Sequence, residues 1–270
     1  MLALVATRVP AVSPQVDPPR RVLVTGASRG IGAAIALELA ARGCVVTACY
    51  REKHRRAAVV ADAITRFGRE CHLIEGDLSA EEGVDGLIRG ALEHAPYDAI
   101  VLNASGGLEP GKALPYALAI NCFAQIALVS ALVPTCGENP TVVYVTSHGA
   151  HFYPRNPVLP LYETVAYSKQ CGEQSLRRMA SLMAGRGVRL KIVSGDIIEG
   201  TTTAMLIDRA VPGFVSRRRK QVGYLPGIDE FSAMVADAAI EEADGVGIST
   251  RYCGSTVPYL ITGEAGATIA

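Results

Sequence analysis

Short apolar runs and helix-like stripes alternate along this chain from end to end. Arg21 to Thr25 is Val-rich and runs into glycine, which reads as a buried strand. Ile31, Ile35 and Leu39 then recur at the spacing of one helix face, and Gly43 stops that helix. Val45 to Cys49 forms the second strand. A charged helix follows, with Val59, Ala63 and Phe67 expected to face inward, and Cys71 to Glu75 is the third strand. Val84, Leu87, Ile88 and Ala91 mark the next helix. Ala99 to Leu102 and Val142 to Thr146 are continuous apolar runs, the signature of parallel strands covered on both faces, with an apolar helix from Leu118 to Leu132 between them. A long helix is expected after Tyr167, with Leu176, Met179 and Met183 inward. Leu190 to Val193 continues the sheet. Beyond Thr201 the pattern loosens until a helix near Phe231 and a last strand from Gly247 to Tyr252.

Parallel neighbours need crossover helices, so this alternation predicts a single α/β domain, a doubly wound parallel sheet of Rossmann-like type with helices on both faces. Met1 to Pro19, with Arg8 and four prolines, is expected to be a mobile arm, leaving 20–270 as the domain. Neither the arm nor any other stretch reads as long enough to span a bilayer.

The bulk numbers narrow the chemistry. Formal charge is zero and aromatics make up 6% with no Trp, which argues against a nucleic-acid partner. Seven scattered cysteines contain no CxxC, and the five histidines show no zinc pattern, so reduced thiols and no metal are expected. A soluble, cytoplasmic protein fits these observations.

The strongest signal is Thr25-Gly26-Ala27-Ser28-Arg29-Gly30-Ile31-Gly32, placed where the first strand turns into the first helix. Glycines there let backbone N–H groups and the helix dipole approach a pyrophosphate. The TGxxxGxG spacing resembles the short-chain dehydrogenase/reductase family, and the resemblance runs from Arg21 to Ala243. Asp77-Leu78 stands where the family holds adenine, and Asn103-Ala104-Ser105-Gly106 matches its stretch after the fourth strand. At the end of the second strand Tyr50 replaces the acid that grips the ribose of NAD. Arg29 and Arg51 flank the place of a 2′-phosphate, so NADPH is the expected cofactor.

In that family a Tyr donates the proton to the reduced carbonyl. A Lys four residues later tunes it and binds ribose, a Ser orients the carbonyl, and an Asn anchors a relay water. The resemblance assigns Ser147, Asn121 and Lys169 to the last three roles, but Val165 stands in the tyrosine's place. Tyr167 lies about 200° around the helix from Lys169. Tyr162 shares its face but sits about 10 Å along the axis, reaching the site only if that turn is bent. The insertion before Lys169 offers His148, His151 and Tyr153 as other stand-ins, or simply a prolyl loop that shapes the pocket. Ser194-Gly195 replaces the family's Pro-Gly. Beyond it Ile197 or Ile198 is assigned to the carboxamide of the cofactor, and Thr201 or Thr203 to a phosphate oxygen. The helix that makes the family's oligomer contact is preceded by a shortened segment here, so the oligomeric state stays open.

Arg217-Arg218-Arg219-Lys220 falls in the family's substrate loop. A solvated face is the expected reading, and a clamp for an acidic or phenolic substrate is the alternative. A reductase without its tyrosine is plausible chemistry if the substrate delocalises or self-neutralises its alkoxide. The whole chain resembles the atypical angucyclinone ketoreductases of antibiotic pathways, which implies a polycyclic aromatic ketone as substrate. The competing reading is an inactive NADPH-binding sensor or scaffold.

Overall fold

A computed structural model describes residues 18–241 and 247–260. The expected N-terminal arm therefore lies outside the described residues, except Pro18 and Pro19. Seven parallel strands form one sheet in the order β3-β2-β1-β4-β5-β6-β7. They are β1 (Arg21–Thr25), β2 (Val45–Tyr50), β3 (Cys71–Glu75), β4 (Ala99–Leu102), β5 (Thr141–Ser147), β6 (Arg189–Gly195) and β7 (Gly247–Cys253). The crossovers are α1 (Gly30–Ala41), α2 (His54–Thr65), α3 (Glu81–Leu92), α4 (Leu114–Leu118), α5 (Ala124–Leu132), α6 (His148–His151) and α7 (Pro160–Leu182). They continue with α8 (Thr202–Ala210), α9 (Phe214–Val222), α10 (Ile228–Ile240) and the C-terminal turn α11 (Val257–Leu260).

Alternate strand residues feed two cores. Val22, Val24 and Val101 pack with Ile35 and Leu39 of α1 and Val235 of α10 on one face. Leu23, Ile100 and Leu102 pack with Leu87 of α3, Leu128 of α5 and Leu176 of α7 on the other. Each such side chain withdrawn from water contributes about 1.5–3 kcal/mol, so double coverage explains the unbroken apolar strands. The strand order reverses between β1 and β4, and this is the crevice where open α/β sheets bind ligands.

Several expectations are corrected by tertiary packing. The buried stripe of α2 is Ala57, Val60 and Ile64, whereas Val59 is 67% exposed and Ala63 half-buried; Phe67, just past the helix, does pack against the core as expected. Apolar spacing alone did not distinguish two registers one residue apart. The long helix starts at Pro160, before rather than after Tyr167, because proline is well suited to a first turn. The patternless stretch after Thr201 holds α8 and α9. Contrary to the expected absence of any membrane-length stretch, Leu114–Thr135 is 22 residues long with mean hydropathy 1.9, but 56% of its apolar window is buried inside the fold. Its apolarity is that of a core helix between α3 and α7.

Candidate active site

Thr25 closes the cofactor end of the crevice. Its hydroxyl accepts from the backbone N–H of Asn103 and of Ala104, both at 3.0 Å, while Asn103 Nδ2 donates to the Thr25 carbonyl. These bonds stitch the β1 turn to the β4 turn. Gly26 has φ +68, and a Cβ on Gly32 would lie 2.2 Å from the Gly26 carbonyl oxygen. Only a backbone without side chains makes so tight a turn into α1, which leaves a cradle lined by main chain. Ser28 is half-buried in this turn, Ile31 follows it, and Arg29 and Gly30 are exposed at the mouth.

The walls of the crevice follow the expected order. Asp77 Oδ1 accepts from both the N–H and the hydroxyl of Ser79, which orients the carboxylate beside buried Leu78. Ser105 is exposed in the same crevice. Tyr50 is buried with its hydroxyl on His54 Nδ1 at 2.8 Å, so it fills the space of an acid and offers no carboxylate. Arg51 lies exposed at the rim, donating to the Tyr116 hydroxyl at 3.0 Å and to Glu52 at 3.2 Å. Ile198 is buried after β6. Thr201 is occupied structurally: its hydroxyl caps α8 by accepting from Ala204 N–H and donates to the Ile198 carbonyl. Thr203 is exposed in the first turn of α8.

At the carbonyl end Ser147, Asn121 and Lys169 come together from β5, the turn between α4 and α5, and α7. Asn121 sits in a π-helical turn, Ala119–Phe123, where Gln125 Nε2 satisfies the Ile120 carbonyl. The Asn121 side chain is spent on structure. Its Oδ1 accepts from Gly106 N–H, and its Nδ2 donates to the Gly106 carbonyl and to Ser168 Oγ. Its backbone carbonyl lies 3.0 Å from the Tyr144 hydroxyl, which lies equally close to the Lys169 carbonyl. The sequence reading, which assigned Asn121 to a relay water, missed this contact with Tyr144. Lys169 is buried, with Nζ donating to the Val145 carbonyl at 3.0 Å, and burial lowers its pKa to about 8.

Val165, four residues before Lys169, is buried and packs against Gly107. Tyr162 reaches the site from the first turn of α7, which is continuous from Pro160. Its hydroxyl lies 2.9 Å from Ser147 Oγ, which also caps α6. The residue is half-buried but its hydroxyl end is deep, and desolvation raises its pKa against a weaker lowering by Ser147. No lysine contributes to that shift. The other stand-ins point elsewhere. His148 Nδ1 pairs with Ser194 Oγ at 2.8 Å, and burial lowers its pKa to about 4. His151 bridges Glu173 and Tyr252, Tyr153 donates to Glu163, and Tyr167 is 44% exposed on the far side of α7, as its helical angle predicts.

The basic run is only partly solvated. Arg218 makes a fork with Asp196, Nη2 to Oδ2 at 2.9 Å and Nε to Oδ1 at 3.0 Å, and its guanidinium lies over the Tyr259 ring. Arg219 pairs with Glu199. Tyr259 stacks on Phe152, which stacks on Tyr252, beside buried His148. Phe152 and Tyr259 carried no signal in the sequence because they meet only across the fold.

The chain is similar to known proteins in sequence and in fold. The chain is 42% identical over 84 residues to a hydroxynaphthalene reductase of Aspergillus fumigatus, a match covering 31% of each. The matches to the first curated relatives span only about a third of those proteins' own length. In structure the chain is similar to the landomycin ketoreductase LanV with bound NADP and rabelomycin, at TM-score 0.72 and 24% identity, covering 88% of this chain and 96% of that one. It is also similar to a 3-oxoacyl (acyl-carrier-protein) reductase of Agrobacterium tumefaciens with NADP bound. There the TM-score is 0.73 and the identity 25%, covering 93% of this chain and 98% of that one. The short chain dehydrogenase family profile matches residues 20–210, the span that holds the glycine turn, Asn121, Ser147 and Lys169, and the chain belongs to that family.

Proposed function

We propose that this protein is an NADPH-dependent ketoreductase, acting in the cytoplasm on a carbonyl of a polycyclic aromatic polyketide of angucyclinone type in antibiotic biosynthesis. The observation that carries the reading is the convergence of Ser147, Tyr162 and Lys169 at the end of a crevice whose other end is a side-chain-free cradle. The cradle fits a dinucleotide. Thr25, Gly26, Ser28, Arg29, Gly30, Ile31 and Gly32 would hold the pyrophosphate side, and Tyr50, Arg51, Asp77 and Leu78 the adenosine with its 2′-phosphate. Asn103, Ala104, Ser105 and Lys169 would hold the nicotinamide ribose, and Ile198 and Thr203 the carboxamide and phosphate. When bound, NADPH supplies the hydride. Lys169 acts here as a ribose ligand, since it has no tyrosine to tune. Asn121 acts as a positioning residue between α7 and the β4 loop.

Ser147 and Tyr162 present two hydroxyls to the carbonyl oxygen and stabilise its developing charge. Tyr162 remains neutral, because burial raises its pKa and no cation offsets that. Tyr162 therefore keeps its proton and is a weaker acid than a lysine-tuned tyrosine, and a phenol or enol of the substrate beside the reacting carbonyl is the proton source in this reading. The relatives named above support this substrate class: LanV is described with rabelomycin, and the fungal relative as a hydroxynaphthalene reductase.

Single-turnover NADPH oxidation with a free phenolic ketone and with its O-methyl ether tests the reading. Methylation is expected to slow the reaction by more than the 10²-fold typical of a lost general acid, and Tyr162→Phe by less than about 10². Equal rates for the two substrates, with collapse in Tyr162→Phe, would make Tyr162 the acid. NADPH binding without oxidation by any ketone would favour the sensor.

A further inference from the structure

The basic run on α9 has a use that the reaction itself does not require. Arg218 and Arg219 are consecutive, and their carboxylate partners, Asp196 and Glu199, flank the dipeptide Ile197-Ile198. The Arg218 pair is deep: its side chain is 10% exposed and that of Asp196 1%. Asp196 is in turn anchored at the end of β6. Its N–H donates to the Cys253 carbonyl, and its Oδ1 accepts from Ile197 N–H. Arg218 also covers Tyr259, whose ring stacks on Phe152 in the segment that follows Ser147. One guanidinium therefore touches the loop assigned to the carboxamide of the cofactor, the C-terminal turn and α9 itself. A fork of charge-assisted bonds transmits position better than a single contact.

We propose that Arg218, with Arg219 beside it, is a positioning residue that couples the substrate side of the site to the cofactor side. This rests on the ketoreductase reading above. The tether makes α9 and the Ile197-Ile198 loop move as one body. A ligand that orders α9 then tightens the dinucleotide, and by linkage the dinucleotide tightens that ligand by the same factor. An aromatic ketone is thus held more tightly when the dinucleotide is already in place.

The coupling is read by titrating NADP+ into the full chain, with and without saturating 1,8-dihydroxyanthraquinone, a flat fused-ring phenolic probe. The ratio of the two dissociation constants is expected to be at least tenfold in the wild type. Removing one charge would strand the other in the interior, so the main variant is Asp196→Asn with Arg218→Gln, which removes both. It is expected to bring the ratio within twofold of one, while NADP+ affinity without probe stays within threefold. Arg218→Lys keeps the charge but loses the fork, and Arg219→Gln opens only the outer pair; both are expected to give intermediate ratios and keep the proposal testable if the double variant does not fold. A wild-type ratio near one, an unchanged ratio in the variants, or no probe binding to the NADP+-loaded protein overturns the proposal. Coupling in a protein that oxidises NADPH with no ketone would leave the tether standing and remove the reductase reading instead.

Discussion

In the proposed reading, single side chains separate the two cofactors. Tyr50 closes the position from which a carboxylate would grip a ribose diol, and Arg51 stands at the rim with its guanidinium between Tyr116 and Glu52. Arg51 is half-exposed, so a 2′-phosphate can draw it from the Glu52 contact at little cost. Arg51→Ala is expected to raise the dissociation constant of NADPH about tenfold or more, because charge-assisted contacts contribute about 1.5–3 kcal/mol. The constant for NADH should change less than threefold, and fluorescence titration of both cofactors checks this. Equal losses would remove Arg51 from the phosphate site. That Val165 stands four residues before Lys169 was also plain at this scale. The arrival of Tyr162 on Ser147 was not, because the argument from axial distance placed Tyr162 relative to Lys169 and not relative to the end of β5.

Elements decide how rigidly the cofactor cradle is made. The β1–α1 turn was legible in full, since each glycine answers a local demand: Gly26 a positive φ, Gly32 a contact with the Gly26 carbonyl. Gly32→Ala places a Cβ 2.2 Å from backbone, an overlap that no rotamer change relieves. The start of α1 must shift, at a cost of about 1–3 kcal/mol of stability. Denaturant unfolding should register that loss, and NADPH binding should fall at least tenfold in the variant. Unchanged binding would mean that the turn tolerates a wider path than its geometry indicates. The α2 stripe was misplaced by one residue and the start of α7 set too late, both because periodicity specifies a face more loosely than packing does.

Across the whole molecule, His148 joins parts of the chain that are remote in sequence. It follows β5, bonds to Ser194 on β6, and lies edge-on to Tyr252 of β7 and Tyr259 of the C-terminal turn. Desolvation lowers its pKa to about 4 from 6.5, with Asp196 opposing and Arg218 reinforcing that shift. The depressed value means that the unfolded chain binds the proton first as pH falls. Its contribution is complete above pH 6.5 and is lost as pH falls through about 4, a change of about 3 kcal/mol. Urea unfolding at pH 7 and pH 4.5 should show a smaller acid loss in His148→Gln than in the wild type. Parallel losses in the two proteins would place the acid-sensitive group elsewhere.

Local sequence by itself determined the order of the strands, the crossover helices up to β6 and the glycine cradle, whereas Ser147, Asn121 and Lys169 were picked out only by resemblance to the family. The strands, helices and cradle depend on residues a few positions apart, where helix and strand periods and backbone freedom apply directly. Tertiary structure alone decided which hydroxyl stands by Ser147 and that Tyr144 takes the Asn121 carbonyl. It also decided that a run of arginines is half tether and half solvated surface. Those outcomes depend on side chains 15 to 23 positions apart meeting in low dielectric. There, desolvation strongly favours a paired polar group over an unpaired one, and the pairing partner is set by the fold and not by spacing along the chain.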